Sequence, residues 1–290
     1  MHEVINLLEA LFNHIPLSLL EVWGRLGYLI GFALMLCAYG GITFRAGGRW
    51  ALGSTSQSWN SRALIAAIFT FAIIFLTGYI GSSIVLVPGA QTFESLKDLS
   101  VFLCIVLFGY PALLVAPFAY GLSDLVEGVP PAFLGDWLFG YFINPACFWL
   151  AHQLIGRDPD FRRARTWGWY ALFVLAFMAI EPLLWGYITS PQFTPELAYR
   201  GVTPALAFTT LVTWAIAPFA MLLALPLARR TGMFWAQVPR HVRERRFGQP
   251  EWGWAGAGTE AAADGAPGGG VPIPAPVSYT HLTLPTIYSV

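Results

Sequence analysis

Long apolar stretches alternate with short polar ones along this chain. Residues 26–44, 63–87, 99–123 and 202–228 contain no Asp, Glu, Lys or Arg. Two further runs are nearly clean: Asp136 and His152 interrupt 130–155, and Glu181 interrupts 166–189. A helix needs about 20 consecutive apolar residues to cross a hydrocarbon core ~30 Å thick, and each of these runs is long enough. The pattern predicts an all-α fold, a polytopic transmembrane helical bundle of six apolar segments over residues 22–228. Ahead of it, residues 4–20 read as a short amphipathic helix lying at the membrane interface, with Pro16 near its end. That assigns 1–21 to an interfacial segment and makes the first span an uncleaved anchor. The first 21 residues hold Glu3, Glu9 and Glu21 and no Lys or Arg, the reverse of a secretion signal's basic start.

Composition agrees with this reading. Of 290 residues, 56% are hydrophobic and 11% charged, against about 25% charged in an ordinary soluble domain. A formal net charge of zero gives no reason to expect a nucleic-acid partner. The lipid bilayer is the expected partner. Cys37, Cys104 and Cys147 all fall inside apolar runs and read as small buried hydrophobes, with no disulfide framework, metal site or cofactor implied.

Short cytoplasmic loops collect Lys and Arg. Three segments do so here: Arg45, Arg49 and Arg62; then Arg157, Arg162, Arg163 and Arg165; then Arg229, Arg230, Arg240, Arg243, Arg245 and Arg246. Placing all three on the cytoplasmic side puts the amino terminus outside and the basic juxtamembrane segment 229–246 inside. Three apolar runs lie between Arg62 and Arg157, yet both ends belong on one side, so one run must fail to cross or must cross twice. Residues 99–123 are the candidate, because Gly109, Tyr110 and Pro111 sit in their middle and Pro117 follows. Proline removes a backbone donor and disfavours helix in the residue before it. The expectation is a broken or re-entrant segment of two half-helices bent at Gly109–Pro111; the alternative is an ordinary proline-kinked span.

After residue 246 the composition changes. Residues 247–276 are dominated by Gly, Ala and Pro and read as a disordered linker unable to bury enough apolar area to order itself. The following VSYTHLTLPT at 277–286 resembles the conceptual translation of a transposase adapter used in sequencing-library preparation. On that resemblance 277–290 is an artefact, and the natural protein is expected to continue past Pro276.

Polar residues at membrane depth are the candidate functional positions, since ionisable groups within spans are costly and face a bundle interior or cavity. Asp124 and Glu127 are three apart and share a helical face. Asp136, Asn144, His152 and Glu181 follow, and Tyr110 belongs to an aromatic set that can wall a pocket. Together, Tyr110, Asp124, Glu127, Asp136, Asn144, His152 and Glu181 form the candidate ligand-binding set. Each has a structural alternative: a solvated turn for Asp124 and Glu127, a helix cap for Asp136, an interface residue for His152, a bond to proline-freed backbone for Glu181. Gly27 and Gly31 make a small-xxx-small pair suited to close helix packing, within the chain or in a homodimer. No nucleotide loop, HExxH, GxSxG or paired-cysteine motif occurs, so no enzyme site is expected here.

The stretches FLCIVLFGYPA (102–112), GLSD (121–124) and FLGDW (133–137) resemble the polytopic sensor regions found amino-terminal to histidine kinase, cyclase or phosphatase modules in bacterial signalling proteins. The similarity spans roughly residues 22–246 and lies in short helices broken by Gly and Pro. It implies a sensory input domain in the bacterial inner membrane, with a cytoplasmic output module beyond the linker. The same style is similar to the substrate-binding subunits of energy-coupling vitamin transporters, which implies instead a small-molecule transporter subunit.

Overall fold

The apolar runs are helical over most of their length in the computed structural model, which describes residues 2–46, 49–54, 61–87, 91–156 and 159–235. In chain order the elements are α1 (His2–Asn13), α2 (Leu17–Tyr39), β1 (Ile42–Ala46), β2 (Arg49–Ser54), α3 (Ser61–Gly81), β3 (Val85–Val87), β4 (Gln91–Thr92), α4 (Ser95–Phe108), α5 (Tyr110–Val126), α6 (Pro131–Asp136), α7 (Leu138–Ile155), α8 (Ala164–Thr189) and α9 (Pro195–Arg230), the last carrying a π turn at Ala198–Val202. Among the described residues, α2, α3, α8 and α9 are long and apolar enough to cross a membrane. The tail expectations for 247–276 and 277–290 lie outside the described residues, as do Arg157 and Arg240, Arg243, Arg245 and Arg246.

The polarity of the bundle is inverted relative to a soluble protein. On α9, Leu223 is 79% exposed while Thr209, Thr210 and Thr213 are fully buried. Continuous exposed apolar surface on α2, α3, α8 and α9 suits hydrocarbon, and inward-facing hydroxyls avoid it. Those hydroxyls are satisfied at short range: Thr213 Oγ1 donates to Thr209 O at 3.0 Å and Thr210 Oγ1 to Leu206 O at 2.8 Å. At the centre, Phe102, Phe148, Phe173, Phe177 and Trp214 pack with ring centroids 4.7–6.0 Å apart. Such pairs contribute about 0.5–1.5 kcal/mol each beyond area burial. Aromatic packing therefore joins α4, α7, α8 and α9.

The broken segment is a helical hairpin. α4 has 14 residues and α5 has 17, or about 21 and 26 Å at 1.5 Å per residue, each short of a full hydrocarbon crossing. Gly109 stands between them at φ +72°, a left-handed conformation that strains any residue with a Cβ. Pro111 then occupies the first turn of α5, where its missing N–H is harmless. That the chain doubles back is evident at the base: Lys97 Nζ lies 2.8 Å from Asp124 Oδ1, and Tyr120 OH donates to Asp98 Oδ1 at 2.9 Å.

The hairpin defines two ends of the bundle. At its tip, Ile105 O bonds to His152 Nδ1 at 3.1 Å and Val106 O accepts from Trp235 Nε1 at 3.0 Å. Arg62 Nη1 donates to Gly232 O at 3.1 Å, tying the start of α3 to the end of α9. At the base, the end of α8 meets the start of α7, where Gln192 Nε2 donates to Asp136 Oδ2 at 2.8 Å. Helix-flanking Arg62, Arg229 and Arg230 thus belong to the tip end, and Lys97 to the base end.

One boundary is corrected. Pro16 precedes α2 and does not end α1, so the boundary set at 21/22 falls inside α2; a proline tolerated just ahead of a first turn explains this. Two short two-stranded sheets, β1–β2 and β3–β4, stand between helices without changing the all-α character of the bundle. Gly27 and Gly31 provide close helix packing within the chain, one of the two expected alternatives: a Cβ on Gly27 would lie 3.0 Å from Ile180 O, and one on Gly31 2.5 Å from Ile143 Cγ2.

Gly78 is where α3 crosses the hairpin base. A Cβ there would collide with Ser123 Oγ and come 3.1 Å from Glu127 Oε1 and from Lys97 Cδ. Gly78→Ala is therefore expected to destabilise the protein by about 1–3 kcal/mol, the usual range for overpacking. Detergent-solubilised unfolding against wild type checks this, and an unchanged midpoint would contradict the close approach.

Candidate functional site

The base of the hairpin gathers charge. Lys97, one turn into α4 and with its side chain 3% exposed, stands 2.7 Å from Glu94 Oε2, 2.8 Å from Asp124 Oδ1 and 3.9 Å from Glu127 Oε1. Its ammonium also sits 5.1 Å from the Tyr120 ring centroid. Tyr141 OH on α7 donates to the other Asp124 oxygen at 2.8 Å, and Ser123 Oγ to Glu127 Oε1 at 2.5 Å. Burial pushes the Glu127 carboxyl, beyond the end of α5, above the usual range, and the neighbouring Lys97 ammonium opposes that rise. A lysine can remain charged at this depth only because it is paired and hydrogen-bonded.

Beside this cluster lies a cavity of about 290 Å³. Asp98, Asp124, Asn144 and Glu181 form its polar wall, and Tyr141 and Trp185 its aromatic one. The β3–β4 hairpin and residues 128–130 contribute to the lining where it opens at the base end. Asp98 is 3% exposed, Asn144 3% and Glu181 1%. Asp98 Oδ2 and Asn144 Oδ1 accept no hydrogen bond. Glu181 Oε2 lies 3.5 Å from Thr210 Oγ1, whose single proton has a better acceptor in Leu206 O at 2.8 Å. Among the described residues neither Asp98 nor Glu181 has a cationic partner within 4.0 Å.

Of the seven predicted ligand-binding positions, Asp124, Glu127, Asn144 and Glu181 line this one cavity. Tyr110 and His152 do not. They lie at the hairpin tip, where Tyr110 packs on Trp149 at 4.6 Å and His152 stacks between Trp149 at 4.2 Å and Trp235 at 4.5 Å. Tyr110 and Asp124 share a helix 14 residues apart, which is about 21 Å along its axis. Asp136 is exposed at the end of α6 and bonded to Gln192, outside the lining.

Lys97, Asp98 and Glu94 were not among the candidates, because on the linear chain they resemble an ordinary polar flank of a span. One signal was present: Lys97 is the only lysine in the chain, three residues after a glutamate. Among the described residues no group of three metal-ligating side chains is arranged to hold a metal ion. Comparison with family models, with curated proteins and with solved structures gives no match, so the reading of this site rests on its own geometry.

Proposed function

We propose that this chain is a membrane-embedded sensory input domain that binds a small molecule in the cavity at the hairpin base. The observation that carries the reading is the pair of buried acceptors, Asp98 Oδ2 and Asn144 Oδ1, left without partners on a cavity wall. Leaving each of them unpaired costs about 1–3 kcal/mol, a cost that a ligand supplying the missing bonds would remove. Residues of α4, α5, α7 and α8 line the cavity, so a ligand bridging α4, α7 and α8 would bias their relative positions. A shift of that kind at the base end is what an input domain would pass to the tip end, where α9 leads into the basic segment and linker. A homodimer suits that role and remains part of the proposal.

The second reading is a transporter's substrate-binding subunit. It is favoured by the hairpin itself, since discontinuous helices that help form a substrate site are characteristic of transporters. Proteoliposomes loaded with the purified chain separate the two: binding without uptake supports the sensor, and accumulation of the bound compound supports the transporter. Absence of saturable binding by any compound would reject both.

The proposed orientation places the tip end in the cytoplasm of a bacterial inner membrane, because Arg62, Arg229 and Arg230 flank helices there while Lys97 at the base end is consumed by carboxylates. The hairpin then supplies one inward and one outward pass, which reconciles three apolar runs with two basic loops on one side. In a variant lacking Cys37, Cys104 and Cys147, a cysteine at Gln91 is expected to react with an impermeant maleimide in intact cells. Cysteines at Arg62 and Arg163 are expected to react only after permeabilisation. Labelling of Arg163→Cys from outside would overturn the orientation.

A further inference from the structure

The cavity has a hydrogen-bonding polarity, and that polarity selects a ligand class. Most of its side-chain donors are already committed. Lys97 donates to Glu94 and Asp124, Tyr120 to Asp98, Tyr141 to Asp124, and Asn144 Nδ2 to Tyr120 OH at 3.3 Å. At the mouth, Thr92 Oγ1 donates to Glu94 Oε1 and Trp137 Nε1 to Gln192. What the wall leaves open is acceptors: Asp98 Oδ2, Asn144 Oδ1 and the Glu181 carboxyl, whose nearest hydroxyl proton goes to Leu206 O. Charge points the same way. Lys97 is shared among Glu94, Asp124 and Glu127, while Asp98 and Glu181 stand on the same cavity without a cation. Tyr141 and Trp185 line the cavity together with these carboxyls, and the two rings lie 6.3 Å apart between centroids. Aromatic faces attract cations, and more strongly where water is excluded.

We infer that the cavity takes a small organic ammonium ion, its N–H groups donated to Asp98, Asn144 and Glu181 and its carbon body held against Tyr141 and Trp185. The inference rests on the cavity being the ligand site proposed above. An anion is disfavoured because the ammonium of Lys97 is already shared among carboxylates and four or more carboxyls would face it. A neutral alcohol can supply one proton where three acceptors wait.

The test uses the whole chain in lipid nanodiscs and three probes with one phenyl ring and one short chain: 2-phenylethylammonium, 2-phenylethanol and 3-phenylpropanoate. Calorimetric titration at fixed ionic strength is expected to show saturable binding of the ammonium, at least about tenfold tighter than the alcohol, and none of the carboxylate. Because this series is read on the unaltered protein, it does not depend on a variant folding. Asp98→Asn, which keeps the Tyr120 bond, is then expected to weaken the ammonium about tenfold or more and leave the alcohol unchanged. Tighter binding of the alcohol or the carboxylate overturns the ammonium while leaving the pocket standing. So does thermal stabilisation by sodium or potassium chloride with no response to the ammonium, which would make the site one for an inorganic cation. Failure of every probe overturns both the ligand class and the pocket.

Discussion

Replacing Lys97 with Met is expected to destabilise the folded protein by about 3–5 kcal/mol, the range found when one member of a buried ion pair is removed. The variant keeps the length and apolar stem of the side chain and deletes only the ammonium. Glu94 at 2.7 Å, Asp124 at 2.8 Å and Glu127 at 3.9 Å would then face one another with no cation between them. Because α4, α5 and the turn before α4 each supply a member, repulsion would act directly on the hairpin base. The measurement is unfolding in detergent followed by tryptophan fluorescence. Adding Asp124→Asn to Lys97→Met is expected to recover part of the loss, since it removes one of the uncompensated charges and keeps an acceptor for Tyr141. A loss below about 1 kcal/mol would mean that water in the cavity screens the cluster as it would at a surface, and the cluster would then not be what closes the hairpin.

This cluster also marks where reading the chain alone stops. The helices followed from apolar length, and the hairpin from two signals that agreed: Gly109 and Pro111 in mid-run, and basic flanks that required an even number of passes. Asp124, Asn144 and Glu181 were legible because polar groups at membrane depth must find partners or a cavity, and the bundle brings all three to one wall. Lys97 was not legible as a site residue. Along the chain it is a lone charge before a span, and only the folding back of α5 onto α4 carries Asp124 to it. Tyr110 failed for the same reason in reverse. It is close to Asp124 in sequence, but an unbroken helix between them turns that closeness into separation. Asp136 shows a third limit: the chain breaks at Trp137 between α6 and α7, a one-residue event that turns the preceding carboxylate outward to Gln192, and no periodicity announced it.

Glu181→Gln is expected to separate binding from folding. Glu181 is 1% exposed in the middle of a spanning helix, and Pro182 follows it. Its side chain reaches the cavity from α8 and has no ion-pair partner among the described residues. The substitution preserves shape and keeps an oxygen toward Thr210, so packing around Phe177 and Leu184 is undisturbed. Removing a carboxyl that no cation compensates relieves a burial cost and does not break a pair. The melting temperature is therefore expected to stay the same or rise, in contrast to Lys97→Met, where it falls. Binding of 2-phenylethylammonium is expected to weaken about tenfold or more, the equivalent of at least one charge-assisted hydrogen bond at ~1.5–3 kcal/mol. Parallel measurement of melting and affinity decides the matter. If Glu181→Gln lowers stability as much as Lys97→Met does, the carboxylate is a strut of the fold. If it leaves both stability and affinity untouched, Glu181 is a bystander on the wall and the ammonium must be held elsewhere.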